Sequence, residues 1–134
     1  MESEPIVVKL PLRLVTESNA KEHWRTKHKR GKAQRSVTWI RMTAALVGAI
    51  GSPAVHSLLP ARITLTRIAP RKLDVDNAWS SVKHVIDGVA DAFNLPDNDE
   101  RFEWAVAQRK GEPNEYAVEI RIEAIGISRS AVGS

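Results

Sequence analysis

The sequence predicts an α+β domain in which two helices pack on a mainly antiparallel sheet, in the order β-α-β-α-β-β. Four short segments carry the alternation or the β-branched residues of strands, and two carry apolar residues at intervals of three and four, as amphipathic helices do. A chain of 134 residues is long enough for one hydrophobic core but too short for a second. We therefore expect one domain over residues 1–127, followed by a loose tail over 128–134.

The first half of the chain predicts a strand, a basic arm, a helix and a second strand. Residues 5–14 are rich in apolar residues and indicate the first strand. Residues 16–31 are polar, basic and without a period, which indicates a loop, so we expect a basic arm over about 16–36. Residues 61–68 predict the second strand, which Pro70 closes. The helix between them is predicted from four apolar residues: Val37, Ile40, Ala44 and Val47.

The second half predicts another helix and a pair of strands. Asp76 or Asn77 is placed to cap this helix, since a side-chain oxygen there accepts a hydrogen bond from an amide of the first turn. Residues 102–109 and 116–123 both alternate around a turn that contains glycine, proline and asparagine, so we predict an antiparallel hairpin. The buried side of the helix is predicted from five residues: Trp79, Val82, Ile86, Val89 and Phe93.

The charges separate a basic segment from an acidic one. The net charge is +4 and the isoelectric point is near 9.7, values typical of proteins that meet polyanions. Seven bases fall within residues 21–35, and seven acids fall within residues 74–100. The chain has no cysteine, no apolar run that could span a membrane and no secretion signal at its start. We therefore expect a cytoplasmic protein with no membrane partner, no disulfides and no thiolate metal site.

Two aspartates follow the second predicted strand. Residues two apart on a strand point to the same side, so Asp74 and Asp76 present both carboxylates together, and these repel unless a cation separates them or one is protonated. Beyond the helix, Asp97 and Asp99 could fold back towards the same strand end. Carboxylate oxygens suit Mg²⁺ or Mn²⁺, which substrate phosphates often complete. The pattern predicts phosphodiester hydrolysis, with Lys83 stabilising negative charge on the phosphoryl oxygens.

Each of these features also has a purely structural explanation. An aspartate before a helix can act only as a cap, Asp97 and Asp99 can form a simple turn, and Lys83 with Asp87 can form a surface ion pair. The combination of D-x-D-N, a one-sided helix with a lysine, and a second D-x-D is what favours an active site. The four histidines lack the spacing of a zinc site.

Residues 72–104, KLDVDNAWSSVKHVIDGVADAFNLPDNDERFEW, resemble the RusA-like Holliday-junction resolvases, small endodeoxyribonucleases of bacteria and their phages. The shared features are D-x-D-N, a helix with K-x-x-x-D-G, and a short acidic turn before a strand. Residues 10–25 resemble the family more weakly, through a strand, a turn and a basic stretch. The resemblance implies Mg²⁺-dependent cleavage of four-way DNA junctions by a homodimer, and a two-fold junction suits two copies of one site.

The resemblance also implies roles for individual residues. Asp74 and Asp76 match the paired aspartates of the family, and these two with Asp99 would hold the metal. Asp97 is the alternative to Asp99 in the acidic turn. The best-known branch of the family has its catalytic lysine where this chain has Ser80, and Lys83, three residues later, would take that role. Asn77, Asp87 and Asp97 would support the site.

The bases of the arm and of the segment before Asp74 are expected to contact DNA phosphates, which the acidic site alone would repel. These bases are Lys27, Lys29, Arg30, Lys32, Arg71 and Lys72. Two other functions stay open. One is a non-catalytic protein that binds nucleic acid or a partner, in which the acids only cap a helix and pair with the arm. The other is a nuclease of the same scaffold that prefers flaps, forks or other branched DNA.

Overall fold

The computed structural model of the protein describes residues 4–15, 24–50 and 54–125. Over these residues it confirms the α+β class: helices pack on a four-stranded sheet. None of the described helices is both long and apolar enough to cross a membrane. The predicted tail over 128–134 lies outside the described residues, as does the part of the predicted arm before residue 24. The elements are β1 (Ile6–Leu10), α1 (Trp24–Ile50), a 3₁₀ helix (Ala54–Leu58), β2 (Ala61–Ala69), α2 (Val75–Ser81), α3 (Lys83–Phe93), β3 (Phe102–Lys110) and β4 (Ala117–Ala124).

The strand order in the sheet is β1-β4-β2-β3. β4 pairs antiparallel with both β1 and β2, whereas β2 and β3 are parallel. The predicted hairpin between 102–109 and 116–123 is therefore wrong, because β2 lies between the two strands. The helical connection α2–α3 carries the chain across the sheet and returns it in the direction of β2, as a parallel pair requires.

One face of the sheet carries the core. Inward residues of β2, such as Ile63 and Leu65, are fully buried, and so are Ile120 of β4 and Leu10 of β1. Residues between them on the strands are more exposed, which gives the alternation expected of a sheet with one covered face. From the helices, the largest core residues are Met42, Leu46, Val85, Val89 and Phe93.

The first helix differs from its prediction in both its start and its buried face. It begins at Trp24, so residues 24–31 are helical and not a loop. Its buried residues are Gly31, Gln34, Thr38, Met42 and Leu46. The predicted stripe is exposed: Val37, Ile40, Ala44 and Val47. Both sets have helical spacing, so periodicity alone could not distinguish the face that packs on the sheet.

The second predicted helix is two helices. α2 begins at Val75, and Asp74 is its cap in place of the predicted Asp76 or Asn77. The helical path breaks at Val82, whose φ and ψ are −100° and 3°, and α3 follows. Of the five residues predicted to be buried, Val82, Val89 and Phe93 are fully buried, Ile86 is half-buried and Trp79 stays exposed.

Two glycines let α1 and α3 approach closely. A Cβ on Gly31 would lie 2.6 Å from the ring of His84, and a Cβ on Gly88 would lie 2.6 Å from the carbonyl oxygen of Arg35. Gly31 of α1 contacts His84 of α3, and four residues later Arg35 of α1 contacts Gly88 of α3, so the two helices run in the same direction. The amino-terminal half of α1 therefore lies at the end of the domain where α3 begins.

Candidate active site

The predicted aspartate pair lies just beyond the carboxyl end of β2. The preceding residue, Leu73, is braced against β3: its amide donates to Oε1 of Gln108 at 2.8 Å, and its carbonyl accepts from Nε2 of Gln108 at 2.7 Å. This brace fixes where α2 begins. Asp74 and Asp76 are both exposed, at the cap and in the first turn of the helix.

Asp74 is oriented by Asn77, the asparagine of D-x-D-N. The Asn77 amide donates to Oδ1 of Asp74 at 2.8 Å, and the Asn77 side chain donates to Oδ2 at 2.9 Å. The capping role that the sequence left open is therefore present. A carboxylate has about four lone-pair sites, so an exposed capping aspartate keeps the capacity to bind a cation.

Asp99 lies at the opposite end of the same strands. In the parallel register Ala61 pairs with Phe102 and Arg67 pairs with Gln108, and Asp99 comes three residues before Phe102. Leu73, the residue before Asp74, is hydrogen-bonded to Gln108, so the start of α2 lies level with Gln108 on β3. The six steps along β3 from Phe102 to Gln108 correspond to about 20 Å, at about 3.3 Å per step. The expectation that the acidic turn folds back to the strand end beside Asp74 is therefore not met within one chain.

The acidic turn has its own local partners. Arg101 donates to both oxygens of Asp99, through Nε at 2.9 Å and Nη2 at 3.0 Å, and its amide adds a bond of 3.0 Å. Arg101 holds the pKa of Asp99 at about 2, first through its side-chain hydrogen bonds and then through its backbone amide, while burial acts in the opposite direction. Asp97 is exposed, and its carbonyl accepts from the indole of Trp104 at 2.8 Å. The Asp99 carboxylate is therefore ionised at neutral pH, as a metal ligand must be.

No three histidine, aspartate or glutamate side chains of the described residues come close enough to hold one metal ion. The structure places Asp74 and Asp76 at the start of α2, on a helix and not on the strand that was expected to align their carboxylates, and leaves Asp97 and Asp99 at the other end of the sheet. The reason is the direction of β3. Because β3 is parallel to β2, the turn before β3 must lie at the amino end of β2, and sequence periodicity does not determine strand direction.

Lys83 is the first residue of α3 and is exposed. Asp76 and Lys83, which the sequence places on one predicted helix, lie on two helices that are separated at Val82. The seven residues of α2 rise by about 10 Å along the helix axis, which separates Lys83 from the cap at Asp74. Lys83 borders a shallow cavity of about 390 Å³ between α1 and α3, lined by His28, Gly31, Lys32, Arg35, Lys83, His84 and Asp87.

Arg35 joins α1 to α3 through two acids. Its Nε and Nη2 donate to the two carboxylate oxygens of Asp91, at 2.6 and 2.9 Å, and its Nη1 lies 4.0 Å from Oδ2 of Asp87. The hydrogen bonds from Arg35 lower the pKa of Asp91, and those same bonds raise the pKa of Arg35. Asp87, which was predicted to support the site or pair with Lys83, is thus engaged with α1.

The predicted DNA-binding bases lie at the end of the domain that carries Asp74. Gly31 packs on His84 at the start of α3, so the helical residues before and after Gly31 flank this end. Lys29 and Lys32 are exposed, and Lys27 and Arg30 are half-buried. Arg71 and Lys72 are exposed between β2 and Asp74. The structure therefore gathers a basic helix, Lys83 and the aspartate pair in one half of the molecule.

The sequence analysis missed Arg67, which is 8% exposed at the end of β2. Because side chains alternate along a strand, Arg67 points to the same side of β2 as Ile63 and Leu65, where an apolar residue is expected. The signal in the sequence was a basic residue at an inward-facing position of β2, where the other inward-facing residues are apolar.

Comparison with known proteins gives no relative: no protein-family model matches the chain, and no curated protein matches it.

Proposed function

We propose that the protein is a Mg²⁺-dependent, structure-selective endodeoxyribonuclease that resolves four-way DNA junctions as a homodimer, in DNA recombination and repair. One observation carries this proposal. Two exposed aspartates, Asp74 at the cap and Asp76 in the first turn of α2, follow the brace between Leu73 and Gln108 at the end of β2, in the half of the molecule that presents a basic helix. Acids that only capped a helix would need one carboxylate, and Asp74 already performs that role.

The donor set fits a hard divalent cation. Asp74 and Asp76 offer exposed carboxylate oxygens, which Mg²⁺ and Mn²⁺ prefer, and the described residues include no competing cysteine. When bound, the ion supplies positive charge to the phosphoryl oxygens and makes a water more acidic. Asn77 keeps Asp74 oriented, and Lys83 adds a cation for the charge that develops on phosphate. Bases of α1, with Arg71 and Lys72, hold neighbouring phosphates.

The position of Asp99 supports a homodimer. Asp99 of one chain is about 20 Å from the pair by the strand register, so a site that uses Asp74, Asp76 and Asp99 needs Asp99 from the second protomer. A two-fold dimer would then contain two such sites, as paired nicks require. α1 also exposes Ile40 and Val47, apolar residues that a second copy could cover.

Mixed dimers test the nuclease and its shared site together. Asp76→Asn and Asp99→Asn should each abolish cleavage alone. After the two proteins are unfolded and refolded together, each mixed dimer has one intact site, so the mixture should regain about a quarter of the wild-type sites. Nicking of a labelled four-way junction measures the recovery. The matched control mixes Asp76→Asn with Asp74→Asn, which damage the same half of the site and should regain nothing.

The outcome separates the alternatives. If the refolded mixture is as inactive as each variant alone, Asp99 is not a shared metal ligand. The same experiment with Asp97→Asn in place of Asp99→Asn then tests the other acid. If wild-type protein binds junctions but never cuts, the non-catalytic binding protein is favoured. The Asp74 cap is the observation that supports that alternative. Flap and fork substrates in the same assay identify a nuclease with another branched preference.

A further inference from the structure

Arg67 is a cation at a position that the fold otherwise fills with core residues. It follows Ile63 and Leu65 in strand phase, and more than nine-tenths of its surface is buried. Buried guanidinium groups are ordinarily paired with a carboxylate, because an unpaired charge is costly to remove from water. The partner of Arg67 therefore needs to be identified.

The described residues give Arg67 only a partial set of partners. Its Nη1 donates to the carbonyl oxygen of Arg71 at 2.7 Å, which fixes the side chain, but its Nε is buried without a hydrogen-bond partner. Burial lowers the pKa of Arg67, Tyr116 opposes this effect, and the positive charge of Arg13 adds to it. No carboxylate among the described residues contributes to that balance.

Arg67 borders a cavity of about 330 Å³ whose lining includes three arginines. The others are Arg13 and Arg71, and Tyr116 forms part of the wall. Arg13 stacks on Tyr116, with 4.3 Å between its guanidinium carbon and the ring centroid. The remaining wall includes Leu73, the residue that directly precedes Asp74. Three cations around one concave surface, with no acid in its lining, match the charge and the donor pattern of an oxyanion.

We propose that this cavity is a phosphate-binding site, in which Arg67 and Arg13 bind a backbone phosphate of DNA next to the phosphate that is cut. The phosphate preference rests on the three arginines of the lining and on the lack of a carboxylate partner for Arg67 among the described residues. The assignment to DNA rests on the proposed function, because Leu73 links the cavity directly to the aspartate pair. The cavity would hold one strand in register while Asp74 and Asp76 face the scissile group.

Inorganic phosphate tests the site without DNA or catalysis. Thermal unfolding is followed by tryptophan fluorescence in low-millimolar phosphate and in chloride of equal ionic strength. Phosphate should raise the Tm of wild-type protein and of Arg62→Met, which removes one exposed cation from the other end of β2. Phosphate should not raise the Tm of Arg67→Met. If phosphate shifts all three proteins equally, or none, the site is absent.

Arg13→Met guards against misfolding of the buried variant. Arg13 is exposed, so its replacement leaves the core unchanged; it should weaken the phosphate effect, and in chloride it should lower the Tm only by the loss of the exposed contact with Tyr116. A normal phosphate effect in Arg13→Met would exclude this cavity as the site.

Binding of a four-way junction in EDTA tests the DNA assignment. Arg67→Met should bind about tenfold more weakly than Arg62→Met, and the slope of log affinity against log salt should fall by about one phosphate contact. Equal affinity of the two variants would overturn the DNA assignment and leave a site for small phosphates. Because EDTA prevents metal-dependent cleavage, this result does not depend on whether the protein cuts DNA.

Discussion

Replacing Asp76 by asparagine should abolish junction cleavage, by at least about a thousandfold, while junction binding stays intact or tightens. The metal's charge contributes several kcal/mol to catalysis, and about 1.4 kcal/mol corresponds to each tenfold in rate. Binding tightens because a negative charge that repels the DNA backbone disappears. Single-turnover cleavage in Mg²⁺ and a gel-shift titration in EDTA measure the two effects separately.

Glu123→Gln is the matched control for Asp76→Asn. It also removes one carboxylate, but Glu123 pairs with Arg62 in the strand register, at the end of β2 far from Asp74. Cleavage by this variant should stay within about twofold of wild type, as expected for a surface change away from a site. Wild-type cleavage rates in Asp76→Asn would show that the aspartate pair is not the metal site.

Gly88→Ala should destabilise the fold by about 1–3 kcal/mol, the usual cost of overpacking. A Cβ at Gly88 would lie 2.6 Å from both the carbonyl oxygen of Arg35 and the Cβ of Thr38. Because one of these atoms belongs to the α1 backbone, the two helices must move apart. Thermal unfolding should show a Tm lower by several degrees.

Gly48→Ala is the control for Gly88→Ala. Gly48 also lies in a helix, but a Cβ there meets no atom within 4 Å, so alanine should stabilise the helix by about 0.5–1 kcal/mol. Opposite signs for the two substitutions would confirm the close contact of α1 and α3. A Gly88→Ala protein as stable as wild type would contradict it. The glycine of K-x-x-x-D-G is explained by this packing.

The fold class could be predicted because hydrophobic spacing identifies helices and strands locally. The strand with which β3 pairs could not be predicted in this way. The segment between β3 and β4 has the composition of a hairpin turn, and Asn114 does adopt a positive φ of 65°. Yet the Gly111 amide donates to the carbonyl of Ala69 at 2.8 Å, so β3 remains paired with β2 to its end. Turn residues indicate where the chain reverses direction, but they do not indicate with which strand the following segment pairs.

The candidate site divides in the same way. Asp74, Asp76 and Asn77 are close in sequence, and a side-chain cap at this helix start was predicted, although the capping residue is Asp74 and not Asp76 or Asn77. The place of Asp99 depends on the direction of a strand that follows it. Arg67 escaped notice because the strand period predicts its burial but gives no reason for its charge. Local chemistry was therefore predictable, whereas the distance between its parts was not.

The most direct test is cleavage of a labelled synthetic four-way junction beside a linear duplex of the same sequence, in Mg²⁺ and in EDTA. Paired symmetric nicks in the junction alone, and only with metal, are the predicted result. A junction that is bound but remains uncut in both Mg²⁺ and Mn²⁺ would contradict the proposed nuclease, and would leave Asp74 as a helix cap with Asp76 as its neighbour.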